Sequence, residues 1–333
     1  MSETQTLLDI IARFPQQTVL VVGDLVADEF VFGEIARVSR EAPVLILKHR
    51  ESRILPGGGA NAAYNLADLG ARVLPVGIVG EDAAGRALLE RFREKRIPTS
   101  GIIMPRDFST TTKTRILAGT VHGNRQQVLR IDREPARLVA AAHRRRIEQH
   151  ARRLARGAQA ALISDYGYGA ATPALADDLR EAVNTRPLTL DSRYHIARYR
   201  GATAATPNEP ELEETFHIRI GNDTHRLEQA GRSLLRRMKM QALLVTRGRD
   251  GMALFERGRQ TLHIPIFGTD QITDVTGAGD TVIAAFTLAL AAGADFRQAA
   301  RLANFAGGLV VMKRGTATVT ADELRRAVAG TQA

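Results

Sequence analysis

The stretch PGGGANAAYNLADLGARVLPVGIVG, Pro56 to Gly80, separates two readings of this chain. Three glycines open a segment with helical spacing, and a β-branched run, RVLPVGIVG, follows it. Gly57, Gly59 and Ala62 imitate the G-x-G-x-x-[GA] fingerprint of dinucleotide sites, and Glu81 and Asp82 stand where a ribose-binding acid would be sought. That fingerprint needs a buried strand running straight into it, whereas KHRESRILP precedes the glycines here. The segment therefore reads as a glycine turn, a helix and a buried strand of an α/β protein, without a dinucleotide site. Its glycines serve either as a structural turn or as a close approach for a ligand, with Asn61 offering both donors and acceptors to hydroxyls.

Outward from this unit the same rhythm continues. Apolar β-rich runs at 18–24, 72–80, 160–167, 187–193, 201–208 and 242–248 alternate with helical stretches at 60–69, 83–93, 173–183, 209–215 and 227–238. Such an order predicts a mostly parallel sheet flanked by helices. Ligands in these sheets bind beyond the carboxyl ends of the strands, where Asp24, Asp165, Asp191, Asn208 and Thr246 fall. Two segments, 28–58 and 109–132, alternate without an intervening helix and predict a small antiparallel sheet, placed as a lid. Helices are expected through Leu290, from Asp295 to Met312, and from Ala321 onward. No repeat or linker divides the 333 residues, so one domain spanning 1–333 is expected.

With 44% hydrophobic and 25% charged residues, the composition is that of an ordinary globular protein. The absence of cysteine excludes disulfides and cysteine-ligated zinc or iron–sulfur sites. The first residues lack a basic leader, and no apolar run can span a bilayer, so a cytoplasmic protein without a membrane partner is expected. The formal charge of +10 raises the question of nucleic acid. Its densest basic run, His143 to Gly157, places Ile147, Ala151 and Leu154 at helical spacing and leaves its arginines on the other side. With 5% aromatics and no tryptophan, platforms for stacking bases are scarce, and no nucleic-acid partner is expected.

The chemistry concentrates in DVTGAGDTVIAAF, Asp274 to Phe286. A glycine turn at a helix start exposes unpaired backbone N–H groups to an anion such as phosphate. Asp280 is then either an ordinary first-turn acid or a carboxylate that handles a proton beside that phosphate. No G-x-x-x-x-G-K-[ST] loop, H-R-D or D-F-G element occurs, so phosphate handling would fall to Gly277, Ala278, Gly279 and Asp280.

The glycine cluster, TPNEPE (206–211), TRGRDG (246–251) and DVTGAGDT (274–281) occur in the order and approximate spacing of the ribokinase-like, or PfkB, carbohydrate kinases, which the chain resembles over nearly its whole length. Within that family RVSREAPVLILK, LPGGGANAAYNLADLGA, TKTRILA…RQQVLRID and RYRGATAATPNEPELE are most similar to heptose 7-phosphate kinases. The resemblance implies a ribokinase-like α/β fold with a β-sheet lid and transfer of phosphate from ATP with Mg²⁺. It implies Asp280 as the base toward a sugar hydroxyl, and the amides of Gly277, Ala278 and Gly279 as the anion hole. Asp24, Gly57, Gly58 and Asn61 match sugar-binding positions; Asn208 and Glu211 match an N-x-x-E motif that organises Mg²⁺ through water. Thr246, Arg247, Gly248 and Gly251 resemble the nucleotide loop, Asn304 falls at the adenine pocket, and Asp274 and Thr276 resemble a monovalent-cation site for K⁺.

A phosphorylated substrate needs cations at its far end, for which Lys113, Arg115, Arg130 and Arg193 are the candidates; each reads equally as a surface charge. The expected substrate is D-glycero-β-D-manno-heptose 7-phosphate, phosphorylated at O1 for the lipopolysaccharide core. The sequence departs from the heptose-kinase pattern at Tyr168, where lysine is usual, and at LDSR (190–193), where the usual form resembles D-P-K. No H-x-G-H motif occurs, so a following adenylyl transfer is expected of another protein. Two alternatives stay open: a family kinase acting on another sugar, sugar phosphate or nucleoside, and a noncatalytic sugar or nucleotide sensor. The resemblance also implies a homodimer paired through the lid strands.

Overall fold

The computed structural model describes residues 2–119, 126–268, 276–313 and 317–330. Its main sheet is built on β1 (Thr18–Gly23), flanked by β4 (Arg72–Ile78) and β8 (Ala160–Asp165), both parallel to it. Beyond β4 lies β5 (Ile102–Ile103); beyond β8 lie β9 (Leu188–Ser192), β10 (Ala204–Ala205) and β11 (Ala242–Thr246), all parallel. Two antiparallel strands, β12 (Met252–Glu256) and β13 (Leu262–Ile264), close that edge. They were not expected from the sequence. The spatial order is β13-β12-β11-β10-β9-β8-β1-β4-β5.

Both faces of this sheet are covered, and β1 shows why its run of five apolar and β-branched residues is needed. Val19 and Val21 enter one core with Leu162 and Leu244, while Leu20 and Val22 enter the other with Ile163 and Leu243. On the first face pack α1 (Glu3–Ala12), α2 (Gly59–Asp68), α3 (Ala83–Glu94), α8 (Ala278–Ala291), α9 (Phe296–Val311) and α10 (Ala321–Gly330). On the second pack α4 (Ala141–Ala155), α5 (Pro173–Val183), α6 (Glu209–Phe216) and α7 (Thr224–Met238). The basic run expected to be an amphipathic helix is α4, which buries Ile147, Ala151 and Ala155. α8 is apolar nearly all round, and every residue from Asp280 to Leu290 is buried.

A second sheet has the order β3-β2-β6-β7, formed by β2 (Leu25–Val38), β3 (Leu45–Gly58), β6 (Thr112–Gly119) and β7 (Gln126–Arg133). It is mixed, because β2 and β6 run parallel while β2 with β3 and β6 with β7 run antiparallel. That differs from the all-antiparallel small sheet expected; β3, α2, β4, α3 and β5 intervene between β2 and β6, so a crossover replaces a hairpin. Only Asp24 separates β1 from β2, and β3 runs directly into α2. The two sheets therefore meet at the first turn of α2, where Gly59 N–H donates to the Asp24 carbonyl at 3.0 Å. That junction positions the site.

Candidate active site

α8 starts on Gly277, whose φ of 77° lies in the left-handed region that residues bearing a Cβ resist. Ala278, Gly279 and Asp280 form its first turn, where amides lack intrahelical acceptors, and the first ladder bond runs from Thr281 N–H to the Gly277 carbonyl at 3.1 Å. Among the described residues, no atom lies within 4 Å of a methyl group added to Gly279. The turn can accept an anion there.

Asp280 is 4% exposed, and each of its carboxylate oxygens has a donor. Asn61 Nδ2, from the first turn of α2, donates to Oδ2 at 2.9 Å, and the Tyr166 hydroxyl donates to Oδ1 at 2.9 Å. Burial pushes the Asp280 pKa up to about 8, the nearby Asp191 carboxylate adds to the rise, and the two hydrogen bonds oppose it. A carboxyl poised near neutrality and fixed at both oxygens has the properties of a general base.

The expected sugar-contacting residues converge beside it, with part of their polar capacity engaged by protein. Asn61 also approaches the Gly277 carbonyl at 3.4 Å, and its Oδ1 accepts from Asn65 at 3.1 Å; its amide thus orients the Asp280 carboxylate. Asp24 accepts from the backbone N–H groups of Tyr166, Tyr168 and Ala170 at 2.8, 3.1 and 3.0 Å, which shapes the loop after β8. Burial still raises its pKa to about 6. Gly57 and Gly58 permit close packing: a Cβ on Gly57 would lie 2.8 Å from the Asp28 carboxylate, and Gly58 has φ 55°.

The four candidate cations divide. Lys113, on β6, carries its Nζ 5.3 Å from the centre of the Tyr166 ring. Burial and the neighbouring positive charge of Arg193 lower its pKa, so these two share the region beside Tyr166. Arg115 instead pairs with Asp28 at 2.6 Å, and Arg130 makes two hydrogen bonds to Asp132 on β7.

Asn208 and Glu211 form a capping box at the start of α6: the Asn208 side chain accepts from Glu211 N–H at 2.8 Å and Glu211 accepts from Asn208 N–H at 2.9 Å. Burial pushes Glu211 up to about 7. Asp191, at the end of β9, is pushed up to about 8 by burial and by the Glu211 and Asp165 charges. Two carboxylates that repel each other in this way suit a hydrated divalent cation, so the donor chemistry fits Mg²⁺ held through waters. Among the described residues no group of three or more His, Asp or Glu is arranged to hold a metal directly.

Thr246 ends β11, and Arg247 is tied to Glu209 at 2.8 Å. Gly248 and Gly251 have φ of 55° and 76°; a Cβ on Gly251 would meet the Ile264 carbonyl at 2.1 Å, so this glycine seats the loop against β13. Asn304, on α9, donates to the Pro265 carbonyl at 2.9 Å and lines a cavity of about 300 Å³ with Ile264, Ile266, Phe267 and Phe305. Asp274 lies outside the described residues; Thr276 stands in the turn before Gly277. Sequence reasoning did not single out Tyr166, and it placed Asp191 among the strand-end residues without giving it a role. Their signal was position alone, since both sit at carboxyl ends of parallel strands.

The chain is similar to known proteins over most of its length. A family model described as pfkB family carbohydrate kinase matches residues 16–323. A bifunctional protein HldE from Geobacter sulfurreducens is 40% identical over 308 residues, covering 92% of this chain and 61% of that protein. The chain spans 61–66% of the length of the curated relatives it matches. Among solved structures, phosphofructokinase-2 from Escherichia coli in complex with substrates and products superposes with a TM-score of 0.76 at 18% identity, covering 95% of this chain and 99% of that one. Arabidopsis thaliana ribokinase complexed with ribose and ATP gives 0.71 at 21%, with 94% and 98% covered. At these identities the structures establish the fold.

Proposed function

Because the chain belongs to the pfkB family of carbohydrate kinases, we propose that it transfers the γ-phosphoryl group of ATP to O1 of D-glycero-β-D-manno-heptose 7-phosphate, giving the 1,7-bisphosphate used for lipopolysaccharide core heptose. The observation that carries the kinase chemistry is the Asp280 carboxylate, buried and held at both oxygens beside the open amides of the α8 start. The choice of sugar is supported by the similarity of the sequence to heptose 7-phosphate kinases and by relatives of 36–40% identity that carry the HldE name.

In this reading the sugar lies between Asp24, Gly57, Gly58 and Asp280, with its phosphate toward Lys113 and Arg193. Asp280 takes the proton of the attacking hydroxyl, the freed oxygen pair bonds to the γ-phosphorus, and the bond from that phosphorus to the β–γ bridging oxygen breaks to release ADP. The amides of Gly277, Ala278 and Gly279 meet the charge spread over the transferring group. ATP sits along Thr246 to Gly251, with its adenine in the cavity lined by Asn304. Bound Mg²⁺ supplies charge neutralisation at the phosphates; Asn208, Glu211 and Asp191 are the residues that would hold its waters. Asp274 and Thr276 are assigned to a monovalent cation by family resemblance alone. Exposed apolar residues on the small sheet, among them Val38, Leu45, Leu129 and Ile131, support a homodimer formed through that sheet.

The test is ADP release with MgATP across a panel of heptose 7-phosphate, hexose phosphates and free sugars, with Asp280→Asn alongside. Turnover should be highest on the heptose phosphate and fall by about 10³-fold or more in the variant, the scale of a lost general base. Turnover on another sugar alone would retain the chemistry and discard the substrate. Equal turnover by wild type and Asp280→Asn would discard the assignment of the base.

A further inference from the structure

We propose that Tyr166 is a positioning residue for the phosphoryl transfer: its hydroxyl fixes the Asp280 carboxylate in one orientation and ties that orientation to the small sheet through Lys113. The inference rests on the kinase reading above and deepens it.

A carboxylate in the first turn of a helix can rotate about two side-chain bonds, and its oxygens exchange roles unless both are held. Asn61 holds one oxygen of Asp280 from α2, and Tyr166 holds the other from the loop after β8, each at 2.9 Å. Removing either donor frees a rotation. Tyr166 is itself anchored, because its backbone N–H donates to Asp24 Oδ2 at 2.8 Å. Its ring carries the Lys113 ammonium 5.3 Å from its centre, a cation supplied by β6 of the other sheet. One residue thus meets the carboxylate of Asp280 and a cation of the small sheet through its side chain, and Asp24 through its backbone.

The charges around the pair favour this direction of donation. Asp191 on β9 and Asp28 on β2 face Asp280, and α2 contributes the neutral amide of Asn61. Burial and the Asp280 and Asp191 charges hold the phenol well above its usual pKa, with Arg193 opposing, so the hydroxyl stays protonated and donates. Such a bond favours the ionised carboxylate.

The test compares wild type, Tyr166→Phe and protein with 3-fluorotyrosine placed at position 166. Phenylalanine keeps the ring and removes the donor; fluorotyrosine keeps the shape and makes the donor more acidic. The carboxyl ¹³C resonance of Asp280, assigned by its loss in Asp280→Asn, is titrated in the substrate-free protein. The midpoint should rise by about one pH unit with phenylalanine and fall with fluorotyrosine, as expected for a hydrogen bond to a charged acceptor. In turnover assays Tyr166→Phe should lower kcat about tenfold with a smaller change in sugar KM, and move the acid limb of the pH profile upward. Coincident titrations in all three proteins would overturn the inference, as would a kcat equal to wild type in Tyr166→Phe. Because the titration needs no sugar, that failure is distinct from failure of the kinase reading, which the Asp280→Asn assay decides.

Discussion

At the scale of single residues, the site carries a cost in stability that can be measured. Asp280 has a folded pKa of about 8 against an ordinary 3.8, because burial and Asp191 disfavour its charge. Below the unfolded value the group is protonated in both states and has no effect. As pH rises toward 8 the unfolded chain releases the proton first, so the folded state loses relative stability throughout that window. Asp24, Glu211 and Asp191, also raised, act in the same direction. Thermal unfolding should therefore occur at lower temperature at pH 8 than at pH 5. Asp280→Asn should raise Tm at pH 8 and do so far less at pH 4, read by calorimetry. A variant that is inactive yet more stable at alkaline pH would mark the carboxylate as kept for chemistry. Asp280 and the glycines before it were legible because a turn, an acid and an apolar helix are adjacent in the chain. Tyr166 was not: its partner lies 114 residues away, and nothing local in SDYGYG announces it.

At the scale of elements, α6 carries a pair of residues with a structural role and a proposed metal role. The capping box makes Asn208 and Glu211 structural whatever else they do. Asn208→Ala should cost about 1 kcal/mol, seen in thermal or urea unfolding. Glu211→Gln keeps an acceptor for the Asn208 N–H and removes a desolvated charge, so its Tm should hold or rise at pH 7. In the same variant, the Mg²⁺ concentration for half-maximal activity should increase several-fold. Separate responses in stability and metal demand would distinguish the two roles. Elements with a strong local period were readable: β1, β4, β8 and α2, α3 and α5 fall close to their expected bounds. β10 was overestimated at 201–208 and spans two residues: Thr203 and Thr206 N–H still donate to Leu188 and Leu190 of β9, but Pro207 has no N–H to carry the ladder on. β12 and β13 were missed because they are short and antiparallel, and their pairing is set by the turn at Gly251 and the neighbouring β11.

At the scale of the molecule, two sheets are joined where β1 passes into β2 and β3 into α2. That join depends on contacts between segments distant in sequence, so its position was legible only as two interruptions of the strand–helix rhythm. The small sheet leaves Leu129 and Ile131 of β7 and Val38 of β2 exposed at 53%, 42% and 59%. Leu129→Asp should convert the proposed dimer to a monomer in sedimentation velocity without altering the far-ultraviolet spectrum; an unchanged sedimentation coefficient would remove the small sheet as the interface. α8, buried from Asp280 to Leu290, has a further consequence. The carboxylate proposed as the base rides on this buried helix, whose backbone cannot fray without opening the core. Amides of Ile283 to Leu288 should be among the last to exchange with deuterium, and heat inactivation should coincide with global melting, leaving no folded but inactive intermediate.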